Sequence, residues 1–290
     1  MNQLKLFIDL TRLKKPIGYM LLFWPCAWGL TLAYDFSNNI NNYFFYLLLF
    51  FSSIYFNLYS NFSYSFFVVS FEMIIGVGLA LLLDRNIRGM SVLRTMFILP
   101  MMIAPVVVGL MWRYMYHPTV GTFNRLLDDW GLPKIDWLGQ HALNSIIIAD
   151  IWQWTPFIFI LSLAALQSLP SSALEAAKID GATSWQQIIH IKIPLMMPVL
   201  IVTCLLRLID AFKVLEVILV MTQGGPGLST EILALRISRT ATEFRELGVA
   251  AAMSNYLLLL LLGLTVGMFL FTRLQEVRAA RIRAAIDEDL

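Results

Sequence analysis

Apolar residues in this chain come in long runs, and six of them reach or approach the roughly 20 mostly apolar residues that a helix needs to cross a bilayer. They cover residues 17–34, 62–83, 95–116, 142–166, 195–222 and 247–272. Residues 36–71 carry no charge at all, so 43–60 is a further candidate. Lys and Arg gather on the inner side of membrane segments. Three clusters therefore point inward: Arg12, Lys14 and Lys15; Arg85, Arg88 and Arg94; and Arg273, Arg278, Arg281 and Arg283. Keeping the first two clusters on one side requires an even number of crossings between them. This predicts that 43–60 is interfacial, on the outer side, where Tyr43, Phe44, Phe45, Tyr46 and Asn57 suit the headgroup region. The expected fold is all-α: a polytopic membrane protein with about six transmembrane helices and both termini cytoplasmic. Arg236, Arg239 and Arg245 would then lie in an outer loop against the charge rule, balanced by Glu231, Glu243 and Glu246. A secretory signal peptide at the front is the alternative for residues 1–34, but Tyr34-Asp35-Phe36 offers no small-residue cleavage site.

Composition strengthens the membrane reading. Of 290 residues 59% are hydrophobic and 14% charged, against about 25% charged in soluble domains, and the mean hydropathy is +0.72. The 21 basic and 19 acidic residues leave a net charge of +2. That balance provides no concentrated basic face for phosphates, so no nucleic-acid partner is expected. Cys26 and Cys204 sit in apolar runs and the three histidines are scattered, which leaves no metal or disulfide spacing.

The most polar interruption lies between the fourth and fifth spans, at residues 169–194, on the side predicted to be cytoplasmic. Pro170 followed by Ser171 or Ser172 predicts a capped short helix, with Glu175 in its first turns near the positive helix end. Gly181 breaks it, at a bend that a side chain would obstruct. From Thr183 a second short amphipathic stretch carries Trp185, Ile188, Ile189 and Ile193, until Pro194 restarts the membrane helix. An apolar stripe protruding in this way fits a groove on a partner or the lipid surface.

Glu175-Ala176-Ala177, Asp180-Gly181-Ala182, Ile191 and Pro194 resemble the EAA loop of the permease subunits of binding-protein-dependent ABC importers. Further blocks are similar to the carbohydrate-uptake (maltose and glycerol-phosphate) branch: Gly76 to Gly89, Leu99-Pro100 with Pro105, Trp112-Arg113 to Gly121, Trp152-Gln153-Trp154-Thr155-Pro156, and Arg207 through Pro226. The resemblance runs in order over residues 57–275 and leaves 276–290 as a cytoplasmic tail. It implies a multi-pass subunit of the bacterial inner membrane, in contact with lipid, that forms half of a translocation pathway for a carbohydrate or polyol-type solute. It also implies three kinds of partner: a dimer of ABC ATPase subunits, a second homologous permease and an extracytoplasmic solute-binding protein. The coupling contact to the ATPase would come from Glu175, Ala176, Ala177, Asp180, Gly181, Ala182, Trp185, Ile191 and Pro194. No catalytic residue and no cofactor belong to this chain in that scheme. The partner ATPase would use the ATP and magnesium, consistent with the absence of the G-x-x-x-x-G-K-[ST] pattern here.

In the fifth span, Arg207, Asp210, Lys213 and Glu216 recur every three residues, an alternating stripe on a largely Leu, Ile and Val helix. Charges inside a bilayer face the bundle interior or a wet path. The stripe is thus either a lining of the solute pathway or an internally neutralised ion-pair ladder. Trp152 and Trp154 divide similarly between a sugar-stacking face and anchors at the membrane boundary, with Asp150 nearby read as solvated.

Residues 1–56 depart from the family. The first 62 residues hold seven Asn, two Ala, three Lys and one Arg, and the remainder four Asn, four Lys and thirteen Arg. Residues 8–34, with Arg12 to Gly18, Trp24-Pro25 and Trp28-Gly29, locally resemble the opening of 4-hydroxybenzoate polyprenyltransferases, although the magnesium-diphosphate aspartate motifs of those enzymes are missing. A membrane prenyltransferase is accordingly the alternative function, and a fusion or joining artefact is the expected origin of the front segment. A receptor or scaffold without an ATPase partner is the third class.

Overall fold

Within lipid a segment has to satisfy its own backbone polar groups, and each long apolar run in the described residues is helical. The structure, a computed structural model, describes residues 40–84 and 90–288. The predicted span 17–34, the cluster Arg12, Lys14 and Lys15, Arg85 and Arg88, and the segment 8–34 lie outside them. Among the described residues four helices are long and apolar enough to cross a membrane, or five if one sharply bent pair counts as a span. Residues 57–235 form one compact unit, and the described residues 40–56 and 236–288 belong to a second.

Helix α1 runs unbroken over Ile40–Leu83, 44 residues, or about 66 Å at 1.5 Å per residue. The stretch 43–60, expected as a separate interfacial piece, continues into the span as one helix. The reason is visible in the sequence: residues 36–71 contain neither Pro nor Gly to punctuate it. Helix α2 (Met90–Ile98) passes through a 3-10 turn (Leu99–Met102) to helix α3 (Pro105–Met115). The expected straight span 95–116 is instead bent by 98° at this junction, where Pro100 and Pro105 remove backbone donors. The corner frees the Ile103 carbonyl, and the buried Gln153 Nε2 donates to it at 3.0 Å.

Helix α4 (Thr122–Asp129) precedes helix α5 (Ala142–Gln167), the best buried of the candidate spans. Asn124 organises the connection: its amide donates to the carbonyls of Pro118 and Ile135, and its oxygen accepts from the Ile135 N–H and the Trp137 indole. Helices α6 (Ser171–Ile179) and α7 (Ser184–Gln187), then a π turn (Ile188–Lys192), lead into helix α8 (Ile193–Phe212). Pro194 does not interrupt the chain as expected. It lacks an N–H and its ring crowds the preceding turn, and the π turn, closed by Ile193 N–H to the Ile188 carbonyl, widens the helix to admit it. The predicted single run 195–222 does break, at Lys213 to Leu215, before helix α9 (Glu216–Met221). Helices α10 (Leu233–Thr242) and α11 (Leu247–Glu288) complete the chain, with Leu247–Leu270 the membrane-length part of α11.

Two apolar clusters form the core of the larger unit. One joins Tyr64, Val68, Val108, Trp112, Ile146 and Ile218, and the other Ala80, Phe159, Leu163, Met196 and Leu200. Helices α1 and α5 approach closely at Gly76, where an added Cβ would lie 2.8 Å from Ile158 Cγ2 and 3.2 Å from the Phe159 backbone nitrogen. Gly76→Val is therefore expected to force the two helices apart and to destabilise the fold by about 1–3 kcal/mol. A thermal midpoint in detergent that stays at the parent's value would count against this contact.

Candidate functional site

Two regions carry polar chemistry: a charged cluster in the interior, and the segment 170–194. In the interior, three helices each bring one ionic side chain to the same place. Arg207 of α8 is 1% exposed and Glu72 and Asp150 are fully buried. Arg207 Nε donates to Glu72 Oε2 at 2.7 Å and its Nη2 to Glu72 Oε1 at 2.9 Å, a bidentate fork. The same Nη2 donates to Asp150 Oδ2, and Nη1 to Asp210 Oδ2 at 3.3 Å. The guanidinium carbon also lies 5.3 Å from the centroid of the Trp154 ring. Along α1 and α5 this cluster falls between the two apolar groups, so it is enclosed at both ends by hydrocarbon.

The four charges of the expected stripe thus separate. Arg207 is internal. Asp210 is 43% exposed with Lys213 Nζ 3.9 Å from its Oδ1, and Glu216 stands exposed at the start of α9, a different helix. The break that separates them frees the Phe212 carbonyl, which accepts from Asn61 Nδ2 at 3.5 Å. Asp150, read from sequence as solvated, is buried because its partner comes from another helix. Glu72 is a member of the cluster that sequence reasoning missed. Its signal was available, as the lone acidic residue in the apolar run 62–83.

Trp152 and Trp154 lie ten and twelve residues into the 26-residue α5, not at its ends, so the boundary-anchor reading does not fit their place. Trp152 packs edge-on against Trp112, with ring centroids 5.8 Å apart. Its outer side borders an apolar groove of about 480 Å³ shared with Ile75, Leu79, Phe97 and Pro100. The one hydroxyl there, on Thr155, already donates to the Ile151 carbonyl at 2.6 Å.

The second region is a folded protrusion. Pro170 itself occupies the N-cap position of α6 and no serine hydroxyl caps the helix, which leaves Glu175 exposed and beyond the first turn. Gly181 adopts φ +77°. Gly181 N–H donates to Lys178 O and Ala182 N–H to Ala177 O, which is the Schellman closure of a helix end. An added Cβ at Gly181 would meet nothing within 4 Å. The glycine is needed for its left-handed backbone and not, as expected, for clearance. Thr183 and Gln186 then form a reciprocal capping box, and Gln187 Nε2 donates back to the Ala182 carbonyl at 2.9 Å. The base is tied to the end of α1 by Lys192 Nζ and Asp84 Oδ2 at 3.7 Å.

These bonds hold three large apolar side chains outward. Ile179 is 86% exposed, Trp185 69% and Ile189 41%. Of the other residues singled out from sequence, Ala177 is buried, Ala182 and Ile191 are half-buried, and Ala176, Asp180 and Pro194 are exposed. Asp180, Gly181, Ala182, Gln186, His190 and Ile191 line a small open pocket.

The family profile described as binding-protein-dependent transport system inner membrane component matches residues 72–284. The chain is 38% identical over 206 residues to the trehalose/maltose transport system permease protein MalF of Thermococcus litoralis, covering 70% of each chain. It is 34% identical over 225 residues, 74% of each chain, to the sn-glycerol-3-phosphate transport system permease protein UgpA of Pectobacterium atrosepticum. In fold it is similar to a chain of a bacterial alginate ABC transporter solved in complex with an alginate pentasaccharide-bound periplasmic protein. That likeness has a TM-score of 0.71 at 23% identity and covers 91% of this chain and 92% of that one. The prenyltransferase alternative draws no support from these matches.

Proposed function

We propose that this chain, which belongs to the family of binding-protein-dependent transport system inner membrane components, forms half of the translocation pathway of an ATP-driven importer for a carbohydrate or polyol-type solute. It is a multi-pass membrane transport subunit and not an enzyme. The observation that carries the coupling part of the reading is the protrusion 171–194, where rigid hydrogen-bonded turns expose Ile179, Trp185 and Ile189. Three bulky apolar groups fixed outside a folded unit fit a groove in a partner, and aromatic residues are frequent anchors of such contacts. The partner in this reading is a pair of ATPase subunits that bind ATP and magnesium. The closing of that pair moves the protrusion, and α8 carries the displacement into the membrane as a rigid body. A second homologous permease supplies the other half of the pathway, and an extracytoplasmic solute-binding protein delivers the solute. The solute class rests on the relatives, which are named for trehalose, maltose and sn-glycerol-3-phosphate. Asp210, Lys213 and Glu216, exposed at the α8–α9 break, offer hydrogen bonds to a hydroxyl-rich solute, while Trp154 and Arg207 support the wall from behind.

Affinity purification of the chain from its native membrane in mild detergent, with mass spectrometry of what accompanies it, tests the reading. An ATPase subunit and a second permease are the expected companions. In a variant carrying Ile179→Ala and Trp185→Ala, recovery of the ATPase should fall about tenfold or more while the second permease stays. The chain recovered alone in good yield would overturn the assignment. Equal ATPase recovery from the variant would remove the protrusion as its seat.

A further inference from the structure

The end of α1 beside the protrusion is held from two sides. Arg94 of α2 donates from Nη2 to the Leu83 carbonyl at 2.9 Å, and Lys192 of the π turn places Nζ 3.7 Å from Asp84 Oδ2. Both cations sit where a helix ends with unpaired carbonyls and partial negative charge, which favours each of them there. The side chains of Lys192 and Asp84 are 21% and 26% exposed, sheltered enough to limit screening by salt. Among the described residues theirs is the one ion pair that joins the protrusion to a neighbouring helix. Deeper in the interior the same two helices meet again, where Arg207 of α8 forks to Glu72 of α1. Glu72 precedes Asp84 by twelve residues and Lys192 precedes Arg207 by fifteen, or about 18 Å and about 22 Å at the helical rise. α1 and α8 therefore run antiparallel here and are joined by charge at two levels, roughly 20 Å apart.

One point of attachment lets two packed helices pivot, and two points do not. We propose that Lys192 and Asp84 are positioning residues of the coupling step: they make α1 travel with the protrusion and α8, and the Arg94 contact to Leu83 brings α2 along. The proposal rests on the importer reading above and adds α1 and α2 to the body that α8 moves. A partly exposed ion pair adds little to stability, so its contribution is to decide which helices move together. The flexible stem of Lys192 makes the pair a tether, taut when the protrusion is drawn away from α1. Without it the end of α1 stays behind and pivots about the Glu72–Arg207 fork.

Dipolar EPR spectroscopy of the full complex, purified with its companion subunits, tests this. Spin labels go on Leu82→Cys of α1 and Leu195→Cys of α8, both exposed positions, in a chain whose Cys26 and Cys204 are replaced by alanine. Between the nucleotide-free and ATP–vanadate states the label separation should hold within about 2 Å in the parent. In Asp84→Ala and in Lys192→Met it should change by about 4 Å or more, the scale of helix shifts in switching proteins. Exchanging the charges, with Asp84→Lys and Lys192→Asp together, should restore the parent's behaviour, which a mere effect of bulk would not do. A parent separation that itself changes between the states overturns the inference, as do single variants that keep the parent's separation or an exchange that restores nothing. A preparation containing no ATPase subunit overturns the importer reading instead, and the inference falls with it.

Discussion

Replacing Arg207 with leucine is expected to destabilise the folded chain by about 3–5 kcal/mol, the cost of leaving a buried ion without its partner. The loss should appear as a large drop in thermal midpoint by fluorescence-detected size exclusion, with much of the protein aggregated at the parent's midpoint. Two further variants separate charge from shape. Arg207→Lys keeps the charge but cannot reproduce the fork to Glu72 Oε1 and Oε2, so it should recover only part of the loss. Combining Arg207→Met with Glu72→Met and Asp150→Asn removes all three buried ions and should be markedly more stable than Arg207→Leu alone, since uncharged replacements often match a buried ionic group. A midpoint for Arg207→Leu within a degree or two of the parent would mean that the cluster does not hold α1, α5 and α8 together.

Gly181→Val should reduce uptake by the assembled importer at least tenfold while leaving the chain in the membrane. A β-branched residue at φ +77° is strained by about 1–3 kcal/mol, and relief requires the α6 end to unwind and Ile179 and Trp185 to reorient. Gly181→Asn is the informative companion, because asparagine tolerates the left-handed region; it should retain most uptake although it is no smaller than valine. If both variants lost uptake equally, bulk at the partner surface would be the cause in place of backbone conformation. If neither did, the turn would have no part in coupling.

What could be read from sequence follows how local its cause is. The run 142–166 became α5 at Ala142–Gln167 because hydropathy alone determines a span, and Gly181 ended α6 because one backbone conformation suffices. The interior cluster was legible only as an oddity. Arg207 stood out, but its fork partner lies 135 residues away, and only packing of three helices reveals that Asp150 is dry. The stripe at 207, 210, 213 and 216 misled because it assumes one continuous helix, and α8 ends at Phe212. Likewise the absence of Pro and Gly over 36–71 outweighed the aromatic and Asn content that suggested an interfacial element.

The π turn at Ile188–Lys192 has a further consequence for how this chain tolerates insertion and deletion. Such a turn holds one residue beyond the normal α-helical count, and each residue advances a helix by about 100° around its axis. Deleting a single residue there would restore regular α geometry, on its face a harmless shortening of the helix. It would instead rotate the segment before the turn about the axis of α8, swinging Ile179 and Trp185 to another bearing while every local hydrogen bond of the Gly181 turn and the Thr183 cap stayed intact. The azimuth of the exposed apolar face is therefore encoded in the length of this one turn, separately from the residues that form the face.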